Sequence, residues 1–136
     1  MAERLARLLA AGTLAGALAL AAATTATAHH NMSAVFDFDQ RFTQTGVLTR
    51  ADWRNPHIYL MVEVKDDQGQ AESWSFEGPS PNFFRTRNIG REAFENAIGK
   101  TVTVEASRAR DGSLSGLIRV VTLPDGMEIS LCPQNC

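Results

Sequence analysis

The strongest constraint on the fold lies in residues 56–65 (PHIYLMVEVK), where Ile58, Leu60, Val62 and Val64 alternate with His57, Tyr59, Met61 and Glu63. Alternation of period two sends the two sets to opposite faces of an extended strand. A helix would instead repeat its apolar stripe every three to four residues. The aliphatic face must be core. The other face carries an imidazole, a phenol, a thioether and a carboxylate, and burying all of it would cost too much.

The flanking residues supply partners for this strand. Asp66-Asp67-Gln68-Gly69 has hairpin-turn composition, and residues 72–77 (ESWSFE) return with Trp74 and Phe76 on one face. Upstream, residues 42–53 (FTQTGVLTRADW) read as a Thr-rich strand with Val47, Thr49, Ala51 and Trp53 on one side, and Gly46 marks a bulge or bend. Gly78-Pro79-Ser80-Pro81 then breaks the sheet. Ser80 before Pro81 suits a helix start, with a short helix over 82–87. A second helix is expected over 91–98, pairing Phe94 with Ile98 and ending at Gly99. Strands resume at 101–108, with Val102, Val104 and Ala106 inward, at 114–123, with Ile118 and Val120 in the core, and at 127–131. Six strands with a helical insert between the third and fourth predict a mainly β fold. The expected form is a small antiparallel, partly open barrel of the OB (oligonucleotide/oligosaccharide-binding) type, with a two-sheet sandwich as the alternative.

All seven Phe, both Trp and the single Tyr fall after residue 35. Before them, residues 1–28 read as a secretory signal peptide. Arg4 and Arg7 give a positive start, residues 8–23 are uncharged and rich in Ala and Leu, and Ala26-Thr27-Ala28 is a small-residue cleavage site. The alternative is a retained membrane anchor, against which the weak hydrophobicity of the Ala/Thr-rich run argues. A cut after Ala28 leaves residues 29–136 as a single β domain, periplasmic or secreted, with no membrane attachment. A cut after Ala23 is the competing site. A formal charge of −2 provides no field for nucleic acid, which is excluded as a partner.

Export bears on the two cysteines. Cys132 and Cys136 close a short loop in the last five residues, and in an oxidising compartment they are expected to form a disulfide that ties down a tail.

The histidines carry the sharpest chemical expectation. Cleavage after Ala28 makes His29 the N-terminal residue, so its α-amine and ring can chelate a metal with His30 and His57 as further imidazoles. A nitrogen-rich set of this kind favours Cu(II). The plainer reading is an exposed His pair after a cleavage site and a strand-start His57 bonded to backbone. Met32, Met61 and Met127 are weaker copper candidates. Asp37, Asp39, Asp52 and Glu63 show no acid–base pairing, and no serine has a nucleophile-elbow context. Arg85, Arg87 and Arg91 cluster in the helical insert as an anion candidate or a solvated face. An enzyme is disfavoured, an oxidative copper site being the one version the residues motivate.

Several segments together resemble a family of small exported bacterial proteins of unknown function. They are Ala28-His29-His30, Phe36-Asp37-Phe38-Asp39, Thr45-Gly46-Val47-Leu48-Thr49, Asp52-Trp53-Arg54-Asn55-Pro56-His57, Trp74-Ser75-Phe76-Glu77, Ser80-Pro81-Asn82, Val102-Thr103-Val104-Glu105 and Arg110-Asp111-Gly112. The resemblance covers residues 28–131 and implies export, one compact β domain and attention to His29, His30 and His57. Asn31-Met32 departs from the Ser and aromatic expected there, and the Cys132–Cys136 tail is an addition. The preferred expectation is an exported copper-binding protein. The alternative is a metal-free β-barrel module that binds a small ligand or a partner protein through Trp53, Tyr59 and Trp74.

Overall fold

The computed structural model describes residues 32–131, which fall within one compact unit. Its elements run α1 (Met32–Val35), β1 (Phe36–Asp52), β2 (Tyr59–Lys65), β3 (Ala71–Glu77), α2 (Pro81–Arg85), α3 (Glu92–Glu95), β4 (Thr101–Ala109), β5 (Ser115–Thr122) and β6 (Glu128–Ser130). No helix among the described residues is long and apolar enough to cross a membrane.

The length of β1 dictates the architecture. Seventeen extended residues reach about 55 Å, too long to stay straight in a small domain. The strand bends, pairing with β4 through residues 36–47 and with β2 through residues 47–52. The bend falls at Gly46, where a Cβ would sit 2.2 Å from the Glu63 carbonyl oxygen, so only glycine allows the two backbones to approach.

All six strands form one sheet in the order β3-β2-β1-β4-β5-β6. A short parallel seam, Ser75–Glu77 of β3 against Ser115–Leu117 of β5, brings the ends together. The result is a mainly β fold, one sheet partly closed into a ring with the helical insert between β3 and β4, and the two-sheet sandwich is not formed. The β2–β3 hairpin keeps an unbroken register from Lys65↔Ala71 to Tyr59↔Glu77. Its turn relies on Gly69 at φ 81°.

The core is the expected aliphatic face and its opposite numbers. Ile58, Leu60, Val62, Trp74, Phe76, Val102, Val104 and Ala106 are all buried, with Phe84 and Phe94 of the insert beneath them. Each large apolar side chain buried there contributes about 1.5–3 kcal/mol.

Two β-bulges correct the expected phase. Register jumps from Leu48↔Val62 to Arg50↔Met61, leaving Thr49 unpaired in the ladder, and its hydroxyl donates to the Met61 carbonyl at 3.1 Å. Leu48 is therefore the buried residue, while Val47 is 37% exposed and Thr49 is also outside. Arg119 is skipped in the same way between Val120 and Ile118, so Val121 rather than Val120 enters the core. In the insert, α3 is a single turn, and Ala97 is buried where Ile98 was expected.

Candidate functional site

A cleft of about 400 Å³ opens between the β1–β2 loop and the helical insert. Both walls are set by proline. Asn55-Pro56, a cis peptide, turns the chain out of β1, and Ser80-Pro81 starts α2 with proline in the first turn. Backbone bonds tie the walls together: Ile58 N–H donates to the Pro79 carbonyl (3.1 Å) and Gly78 N–H to the Ile58 carbonyl (2.9 Å).

Trp53 lines the cleft. Half-buried, its ring lies 4.8 Å from Phe84 and 5.4 Å from Phe94, so one side is core and the rest meets the cavity. Asn55, Asn82, Arg85, Arg91 and Glu92 provide the polar lining, with Pro81 and Ile89 as apolar wall. The Arg85 head is steadied by a hydrogen bond to Asn82 Oδ1 (2.6 Å), and Arg91 pairs with Glu95 at 2.7 Å. Arg87 is turned away, its guanidinium carbon 3.7 Å from the Phe83 ring centroid. The expected arginine cluster is thus divided, with two members on the cleft and one on Phe83.

Behind the Trp53 wall runs a line of polar contacts across β1, β2 and β3. Asp52 accepts from Arg50 and lies 3.9 Å from Arg54, and Arg50 beside it holds its carboxyl below the usual range. Arg54 sits over the Tyr59 ring at 5.5 Å. Burial, then the charge of Glu77 and a hydrogen bond to it, push the Tyr59 phenol up, with Arg54 opposing. Glu77 also meets His57, whose Nδ1 faces Glu77 Oε1. These contacts join the loop that carries Trp53 and Asn55 to β2 and β3.

The structure does not assemble the other expected residues into one site. Trp74 is 2% exposed and stacks on Phe76 at 5.9 Å, so it is core and not a contact surface. Tyr59 is half-buried in the polar network. Met32 and Met61 are half-buried on α1 and β2, and Met127 is exposed in the turn before β6. Asp37 pairs with Arg110, far along β1 from Asp52, while Asp39 and Glu63 are exposed. Among the described residues no three His, Cys, Asp or Glu side chains gather as a metal group. His29, His30, Cys132 and Cys136 lie outside the described residues.

Asn82, Arg85 and Glu77 are the important residues that sequence reasoning did not connect. Counting outward from the Asp66–Gly69 turn would have set Glu77 opposite Tyr59, and the proline in each wall hinted at a shared rim. A model for a family of unknown function (DUF6152) matches residues 17–119. No curated protein and no solved structure matches the chain.

Proposed function

The chain belongs to the DUF6152 family, and we propose that it is an exported ligand-binding module whose site is the cleft between the β1–β2 loop and the helical insert. One observation carries this reading: Trp53 is braced by Phe84 and Phe94 while lining a cleft with Asn55, Asn82, Arg85 and Arg91. A ring already fixed by core packing has little side-chain freedom left to lose on binding. The cleft has the size and the mixed apolar and polar lining of small-molecule sites. The Arg85 guanidinium, steadied by Asn82 and not by a carboxylate, favours a small ligand with an apolar body and at least one acceptor group. Export rests on the pattern of residues 1–28, and N-terminal sequencing of secreted protein is its test: a start at His29 supports it, and an uncleaved Met1 on cytoplasmic protein refutes it. The ligand reading is tested with soluble aromatic carboxylates as probes, followed through Trp fluorescence. Saturable binding that Arg85→Ala weakens at least tenfold supports it, and equal response in the variant overturns it.

A second reading, copper binding by histidine, is favoured by the contact between His57 Nδ1 and Glu77. A carboxylate on one ring nitrogen is how metal-ligating imidazoles are commonly oriented. Cu(II) titration followed by electron paramagnetic resonance tests it. Loss of nitrogen-ligand signal in His57→Ala, and after one residue is added before His29, supports copper. Identical titrations refute it.

A further inference from the structure

We propose that Arg108 and Arg110 form a second site, independent of the cleft, that binds a small oxyanion at the mouth of the barrel. Arg108 follows the buried Ala106 by two residues on β4 and so shares its inward face. Where an aliphatic residue would close the barrel, the chain places a guanidinium. Its central carbon lies 4.9 Å from the Trp74 ring centroid and 5.3 Å from that of Phe42, two rings that are themselves 5.2 Å apart. These are cation–π contacts, which hold the head by the ring faces. Among the described residues the Arg108 side chain makes no ion pair and donates no hydrogen bond, so its in-plane N–H groups meet no acceptor there. A half-buried guanidinium clamped by two rings, with no acceptor among the described residues and a hollow beside it, is the arrangement the site explains.

The space for an acceptor is present beside it. Between Asp37↔Arg108 and Arg41↔Ser107 the β1–β4 register jumps, and residues 38–40 bulge out of the ladder. The bulge borders a hollow of about 340 Å³ lined by Asp37, Gln40, Arg108 and Arg110. Arg110 is anchored there, Nε donating to the Ser33 carbonyl at 2.9 Å and Nη1 to Asp37 Oδ2 at 3.2 Å. Asp37 is already committed, accepting also from Gln40 Nε2 and from the Asp39 backbone N–H, both at 3.2 Å. Two guanidinium groups thus face one carboxylate, leaving one positive charge uncompensated by the lining. Planar forks of this kind match ligands that offer two oxygen acceptors together, the chemistry shared by a carboxylate and a phosphate monoester.

The test uses the full chain, isotopically labelled, titrated separately with inorganic phosphate and with succinate and read by amide and Arg Nε–H shifts. Saturable shifts confined to residues 37–41 and 108–113 and to the Trp74 indole, weakened at least tenfold in Arg108→Lys, are expected, and the stronger arm assigns the source. Lysine keeps the charge but loses the fork. Arg110→Lys, at an exposed position, gives the same reading should Arg108→Lys unfold. Shifts that sodium chloride of equal ionic strength reproduces, that fail to saturate, or that persist unchanged in a folded variant overturn the proposal. Because the cleft residues take no part, failure here leaves the ligand-cleft reading standing.

Discussion

Removing the Leu48 side chain tests the bulge that sets the barrel's inside and outside. Leu48 is 0% exposed and its neighbour Val47 is 37% exposed. Leu48→Ala deletes three carbons, each contributing about 0.8 kcal/mol of transfer free energy, so roughly 2.4 kcal/mol is lost before any cavity is counted. β1 is paired with β2 on one side and β4 on the other and relaxes little, which brings the expected cost to about 3 kcal/mol, within the range for buried Leu→Ala. In a domain of this size that is a fall in Tm of roughly 12–24 °C. Val47→Ala, on the outer face, should cost under about 0.5 kcal/mol. Urea unfolding followed by Trp fluorescence gives both values, with the slope m unchanged if the native state is preserved. Equal costs at the two positions, or a larger one at Val47, would refute the bulge at Thr49 and with it the assignment of faces along β1.

Three further outcomes follow from the same contacts. Gly46→Ala places a Cβ 2.2 Å from the Glu63 carbonyl oxygen and should cost about 1–3 kcal/mol in thermal unfolding, as overpacking does; a neutral substitution would contradict the close crossing. Tyr59 has its phenol pushed up, so the native state holds that proton longer than the unfolded chain, and stability should decline as pH rises above about 10. Ultraviolet titration of the single tyrosine should show its midpoint fall in Glu77→Gln, and an unmoved midpoint would remove Glu77 from its surroundings. Arg91→Ala loses an exposed i,i+4 pair with Glu95 and should change stability by less than about 0.5 kcal/mol by urea titration, leaving any larger effect to ligand binding.

The hairpin of β2 and β3 was legible because nothing interrupts its period. Ile58, Leu60, Val62, Trp74 and Phe76 could be assigned to one face by alternation alone. Along β1 and β5 the same rule failed at one residue each. A bulge is a local choice between two ladder registers, and neither Thr49 nor Arg119 carries a signature that separates it from an ordinary strand residue. Trp74 was misplaced for a related reason. Alternation correctly set it beside Phe76, yet a barrel that closes over that face makes it core, and closure depends on the β3–β5 seam between residues far apart in sequence. The cleft was half visible. Trp53 and the arginines of the insert were singled out, but their meeting depends on where two proline-led segments converge in space, which no spacing rule encodes.

The proposed binding surface is Trp53 and the polar residues around it. The most direct measurement is a fragment screen of labelled protein by amide and indole chemical shifts, using small soluble aromatic acids, sugars and amides. Binding fragments should shift the Trp53 indole and the amides of residues 81–92 together, and Asn82→Ala and Arg85→Ala should abolish those shifts without changing the rest of the spectrum. Fragments that bind only elsewhere on the barrel, or shifts indifferent to both substitutions, would contradict it.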